Sequence, residues 1–253
     1  MTFTSTVCGE GLRIVEAANQ HELPLRLIGG VAIRVHAPGG LPEPLTRAYQ
    51  DIDLVTLRGN GGAVSHLLVD LGYEANTSFN TINGADRMVF YDVERKLQVD
   101  VFVGSFRMCH EIPIGADRLR VDPLTLPLAE LLLTKLQIVS INEKDLLDIY
   151  GILHEHAVRE GDDEAVNGAA VARLLARDWG LWRTSSTTME RAREHLADLA
   201  LDEAQRATVL SRLDALSRRV EQEPKGMRWR NRNRVGDRVR WYEEPDEIAH
   251  RQI

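Results

Sequence analysis

The chain has 253 residues, 43% hydrophobic and 27% charged, a globular composition that excludes a fibrous or disordered protein. Its net charge is -7, and its longest nearly apolar run, Leu124 to Leu133, is half the roughly 20 residues a spanning helix needs and contains Pro127 and Glu130. No membrane span is expected. The two cysteines, Cys8 and Cys109, have no metal-like spacing, and the N-terminus lacks a basic segment followed by an apolar one, so a cytoplasmic, reducing setting is expected.

In chain order, an amphipathic helix is expected near Val7 to Ala18, then a short strand Leu25 to Ile28 after Pro24. Gly29-Gly30 opens a second helix. A Pro- and Gly-rich loop from Pro38 to Pro44 leads to the strand Asp51 to Leu57, and Gly59-Asn60-Gly61-Gly62 turns it into a helix ending near Gly72. Arg87 to Tyr91 and Leu97 to Val103 read as an antiparallel hairpin in a mixed sheet. Two helices follow, Pro127 to Ser140 and Asn142 to His156. The acidic stretch Gly161 to Asn167 reads as a linker. Helices near Ala169 to Trp179, Thr187 to Leu199 and Asp202 to Gln222 then suggest a small bundle, stopped by Pro224. The expected fold is α+β, with a mixed sheet flanked by helices over 1–158, a helical domain over 159–224 and a basic, aromatic segment over 225–253.

Strand geometry makes the carboxylates informative. Residues i and i+2 point the same way, so Asp51 and Asp53 share one face while Ile52 and Leu54 take the other. Two like charges side by side repel unless a cation lies between them, and Mg²⁺ or Mn²⁺ is the usual solution. On Leu97 to Val103 the odd-numbered positions are apolar and Asp100 stands alone on the other face, needing a partner. If the two strands are neighbours, three carboxylates converge on two metals about 4 Å apart, the clamp for an in-line phosphoryl displacement. The competing reading has Asp51 and Asp53 capping a turn and Asp100 facing water.

Gly29-Gly30 ahead of Asp51-Ile52-Asp53, followed by Asp100 on a later strand, resembles the nucleotidyltransferase superfamily with the polymerase-beta-like fold. The segments Leu27 to Ile33, Arg47 to Leu54, Leu133 to Leu136 and Lys144 to Tyr150 are most similar to the AbiEii-type toxin nucleotidyltransferases. That resemblance covers roughly residues 25 to 153, with a wider gap between Gly30 and Asp51 than compact members use. It implies that Gly29 and Gly30 approach a triphosphate, with Asp51 and Asp53 as metal ligands. Asp100 would complete the site as ligand or base. It further implies that Arg47 contacts phosphate or braces the loop.

Lys135 is conspicuous without any family, because it lies at helical spacing from Leu131, Leu132 and Ile138, inside an apolar stripe. It snorkels or meets an anion, which the resemblance identifies as nucleotide phosphate. Asp145 and Asp148 lie on one side of the next helix, at positions the family also occupies with aspartate. Asp145 also fits a capping arrangement with Asn142, whereas Asp148 has no such role and could pair with Lys135.

The remaining candidates are weaker. The Gly59 to Gly62 loop lacks a P-loop lysine and reads as a turn. His36 could line the site or be surface, and His154 and His156 sit on different sides of their helix, a poor metal pair. Between Lys225 and Arg240 one lysine and six arginines face only Asp237, a net +6 that leaves -13 for the rest of the chain. Arginines interleaved with Trp229, Trp241 and Tyr242 either bind RNA or pin the tail to the acidic body.

The expected function is metal-dependent transfer of an NMP from an NTP to a hydroxyl acceptor, with loss of pyrophosphate. The resemblance suggests tRNA or a protein as acceptor and an antitoxin as partner. A small-molecule nucleotidyltransferase of the antibiotic-modifying type, or a non-catalytic binding module of the same fold, are the alternatives.

Overall fold

A computed structural model describes residues 3–244 of the chain, so 245–253 of the basic C-terminal segment lie outside the described residues. The protein is α+β. Helix α1 (Phe3–Gln20) precedes strand β1 (Leu25–Ile28), all four residues of which are buried. Helix α2 (Gly29–Val35) starts at the double glycine without an intervening loop. The expected loop after it is held down: a 3₁₀ turn at Glu43–Leu45 buries Leu45, and Tyr49 is 3% exposed just before β2 (Asp51–Thr56).

The chain continues through α3 (Gly61–Asp70), the short β3 (Glu74–Ala75) and α4 (Thr77–Asn83) into the expected hairpin of β4 (Arg87–Asp92) and β5 (Leu97–Val103). The five strands lie in the order β1-β2-β5-β4-β3. Only β2 and β5 are parallel, the other neighbours being antiparallel, so the sheet is mixed. Parallel pairing of β2 with β5 is decisive, because it sets Asp53 opposite Asp100 and Asp51 opposite Gln98. Helices α1, α2 and α3 pack on this sheet. A small hairpin of β6 (Ser105–Arg107) and β7 (Glu111–Pro113) follows it.

Helix α5 (Leu128–Leu136) begins directly after Pro127 and stops four residues short of the expected end. Gln137, fully buried, closes the helix with its backbone N–H on the Leu133 carbonyl and accepts the His110 backbone N–H on its amide oxygen. Asn142 then caps α6 (Glu143–Glu155) by accepting from the Asp145 N–H, so α5 and α6 form a helical hairpin. Both pack against the C-terminal helices α7 (Gly168–Arg177), α8 (Trp179–Leu196) and α9 (Glu203–Gln222). Helix α8 starts at Trp179 rather than near Thr187, because Asp178 caps it. One apolar core extends from Val7 in α1 to Val220 in α9.

The acidic stretch Gly161 to Asn167 is held at both ends. Val158–Arg159 (β8) pairs in parallel with Val166–Asn167 (β9), Val166 is fully buried, and Asn167 caps α7. In between, Arg118 joins Asp162 at 2.8 Å to Glu130 of α5 at 2.5 Å. Within the basic, aromatic segment, Met227–Val235 form helix α10. No helix among the described residues is long and apolar enough to cross a membrane.

The Arg118 junction makes a stability prediction. Arg118→Met strands Glu130, which is 7% exposed, and is expected to cost about 2 kcal/mol, less than for a fully enclosed pair. Asp162→Asn leaves the Arg118–Glu130 pair intact and is expected to cost well under half as much. Urea unfolding of both variants checks the ranking.

Candidate active site

The first turn of α2, the end of the 36–50 loop, the start of β2, the start of β5 and the facing ends of α5 and α6 surround a cleft of about 530 Å³. Gly30, Arg47, Asp51, Asp53, Lys135 and Asp145 line it. Six of the nine residues proposed from sequence line this cleft, and the remaining three, Gly29, Asp100 and Asp148, lie buried behind it.

The two glycines are required by what sits against them. Gly29 has φ +66°, in the left-handed region, and a Cβ there would lie 2.3 Å from an Asp53 carboxylate oxygen. At Gly30 a Cβ would collide with the Arg47 guanidinium and come within 2.9 Å of the Tyr49 ring. The double glycine thus lets Asp53 and Arg47 close on the start of α2.

Behind the cleft lies a dense set of ion pairs. Asp148, 2% exposed, receives Arg47 bidentately, Nε and Nη2 each at 2.7 Å, and Lys135 Nζ at 2.9 Å. Lys135 also donates to Asp145 at 2.9 Å. Burial alone would raise the Asp148 pKa, but the charge of Lys135 and the hydrogen bonds from Arg47 outweigh it and hold the carboxyl below its ordinary range. Burial likewise opposes the charged form of Lys135, and the two aspartates more than compensate. Arg47 additionally stacks 4.3 Å over the Tyr49 ring. The anion beside Lys135 in this structure is therefore protein carboxylate, and Arg47 braces the loop. Asp145 does both things its position allowed: its N–H is capped by Asn142 and its side chain holds Lys135.

Asp100, also 2% exposed, has a partner that the sequence reading missed. Arg87 donates to Oδ1 from Nε at 2.9 Å and from its terminal nitrogen at 2.7 Å, while Gln98 donates to Oδ2 at 2.6 Å. The signal was present, since a lone carboxylate on an apolar strand needs a cation. In the antiparallel hairpin Val89 opposes Asp100 and Arg87 opposes Phe102, which places Arg87 on the diagonal.

Asp53 is the exception. It makes no hydrogen bond or ion pair among the described residues, whereas the buried Asp100 and Asp148 behind it are both paired. Burial, then Asp51, then Asp100 push its pKa well above the ordinary carboxylate range, with Lys135 and Arg87 only partly offsetting them. The site thus holds an Asp51–Asp53 pair with an unmet demand for positive charge. Two carboxylates on adjacent outward positions of one strand, backed by Asp100, are a hard oxygen donor set of the kind that suits Mg²⁺ or Mn²⁺.

The other sequence candidates fall elsewhere. His36 is turned to Thr125 rather than the cleft, and Gly59, at φ +97°, forms a turn. Cys8 and Cys109 are free thiols. In the tail, Trp229 and Trp241 are committed to the body: their Nε1 atoms donate to the Leu175 carbonyl and the Thr184 hydroxyl, and Trp229 packs on Trp182. Arg232 lies 4.2 Å over Trp179, and Arg183 of α8 pairs with Asp237 at 2.9 Å. Arg228, Arg230, Arg234 and Arg238 are exposed and make no ion pair among the described residues. Compared with protein-family models and with curated proteins, the chain matches neither.

Opposite stability effects follow for two neighbouring aspartates. A folded-state pKa raised above the unfolded value means that ionised Asp53 costs stability at neutral pH, so Asp53→Asn raises the Tm in metal-free buffer at pH 8. Asp148 has the opposite sign: its contribution is present above the ordinary carboxylate pKa and is lost as pH falls through its depressed one. Asp148→Asn leaves Arg47 and Lys135 without their buried anion, costs about 3 kcal/mol at neutral pH and flattens the acid limb of the stability curve. Thermal denaturation across pH 3 to pH 8, roughly the window these carboxyls span, reads out both.

Proposed function

We propose that the chain is a metal-dependent nucleotidyltransferase, transferring an NMP from an NTP to a hydroxyl acceptor with release of pyrophosphate. The observation that carries this reading is Asp53, an unsatisfied carboxylate with a raised pKa beside Asp51, at the wall of an open cleft. Asp51 and Asp53 would hold Mg²⁺ or Mn²⁺, which when bound supplies charge neutralisation at the reacting phosphate. Asp100 would back them, its charge balanced by Arg87 until a metal arrives.

The remaining roles follow from position. Gly30 lines the cleft with the Arg47 guanidinium packed against it, so a triphosphate approaching there would meet that cation. Lys135 offers a cation at the cleft and exchanges part of its bonding from Asp145 to phosphate, while Asp148 keeps it and Arg47 aimed. The acceptor hydroxyl attacks the α-phosphorus, the bond to the pyrophosphate oxygen breaks, and the hydroxyl proton passes to a carboxylate or solvent.

Substrate and biological role rest on less. A toxin-like activity on tRNA or a protein, with an antitoxin partner and a cytoplasmic setting, is carried by the resemblance to the AbiEii-type nucleotidyltransferases. For RNA, the supporting feature is the set of exposed arginines on and after α10. The tryptophans are engaged internally, so RNA would be held through phosphates rather than by stacking on them.

The test is label transfer from each α-labelled NTP, in Mg²⁺, to total tRNA, to the protein itself and to small hydroxyl acceptors. Transfer is expected with at least one acceptor, falling at least about 100-fold in Asp53→Asn and Gly29→Ala. Undiminished transfer in Asp53→Asn sinks the metal assignment. An absence of transfer to every acceptor favours a binding module.

A further inference from the structure

The helices that build the cleft carry a second group of ligand-bearing side chains at their other ends. His36 caps the C-terminus of α2, His156 caps the C-terminus of α6, and Glu164 comes from the β8–β9 connection. One ligand atom from each lies within 4.8 Å of the others. The histidine neighbour of His156 in sequence, His154, takes no part and pairs with Glu155.

The hydrogen bonds fix which nitrogens remain available. Thr125 donates its hydroxyl proton to the Leu126 carbonyl at 2.8 Å, so it must accept from His36 Nε2 at 2.7 Å. His36 Nε2 is therefore protonated, and in the neutral ring Nδ1 carries the lone pair. His156 Nε2 lies 2.8 Å from the His36 backbone carbonyl, which can only accept, so that nitrogen is protonated as well. His156 Nδ1 then faces two acceptors, the Glu164 carbonyl at 3.3 Å and its carboxylate at 3.9 Å. An Nδ1 lone pair there would face two oxygens, a contact that either a proton on that nitrogen or a metal cation relieves.

We propose that His36, His156 and Glu164 form a transition-metal site, distinct from the carboxylate site of the cleft, that takes Zn²⁺ or a similar borderline divalent ion. Two imidazoles and one carboxylate suit Zn²⁺ rather than Mg²⁺. Both rings already have the outer hydrogen bond that orients a metal-bound histidine, to Thr125 and to the His36 carbonyl. Glu164 is held at φ +44° with its carboxylate 75% exposed, so the ion has access from solvent and an open fourth position. Bound there, it ties the far ends of α2 and α6 together and fixes the spacing of the ends that carry Gly30 and Asp148.

The full chain, stripped with chelator, is titrated with Zn²⁺ against a chromogenic competitor and with Co²⁺ by visible absorption. One tight equivalent is expected, resistant to excess Mg²⁺ and retained in Asp53→Asn. Glu164→Gln, at an exposed position where folding is not at risk, weakens it at least about 10-fold, and His36→Gln more. No stoichiometric binding, equal binding in Glu164→Gln and His36→Gln, or loss of binding in Asp53→Asn each overturns the assignment. If His36→Gln fails to fold, Glu164→Gln alone decides.

Discussion

The cationic side of the cleft is positioned by one buried carboxylate. Asp148 is enclosed within α6, and it stays charged only because Arg47 from the loop before β2 and Lys135 from α5 both reach it. Three segments far apart in sequence are thereby fixed to one point, with a directionality that apolar contacts lack. Its depressed pKa reflects electrostatic compensation outweighing desolvation. Arg47, so held, lies where a Gly30 side chain would be, which connects the double glycine to the charge cluster.

Asp53 presents the opposite balance a short distance away. Its strand neighbour across the sheet, Asp100, is fully compensated by Arg87 and Gln98, and Asp148 by Arg47 and Lys135. The protein has thus paired the buried carboxylates behind the cleft and left Asp51 and Asp53 at its wall without a cation among the described residues. Such a deficit lowers folding stability and is kept where a ligand restores it. On this account the paired carboxylates are scaffold and the unpaired ones are the place for the cation.

Much of this was legible in the sequence, and for identifiable reasons. Strand β1, the Gly29 helix start and the β4–β5 hairpin coincide with expectation because local signals, Pro24, the double glycine and period-two alternation, specify them. Asp51, Asp53 and Asp100 could be grouped because strand periodicity fixes their faces, once β2 and β5 are taken as neighbours. Lys135 stood out as a charge in an apolar stripe. Less was visible where the deciding contact is distant in sequence. The partner of the buried Gln137 is His110, 27 residues earlier, and the partner of Asp100 depends on hairpin register. The His36–His156 contact spans 120 positions and leaves no local trace. The tail shows the limit of composition: a run of arginines and aromatics suited RNA stacking, but the folded chain uses its tryptophans as packing against α7 and α8.

The most direct test of the central claim, that Asp53 is a carboxylate lacking its cation, is to follow its side-chain carbonyl carbon by NMR with ¹³C-labelled aspartate, assigned by Asp53→Asn. Without divalent metal the resonance should titrate well above the ordinary carboxylate range, and Mg²⁺ should move that titration down as ion and proton compete. An Asp53 that titrates in the ordinary range and ignores Mg²⁺ would contradict the account.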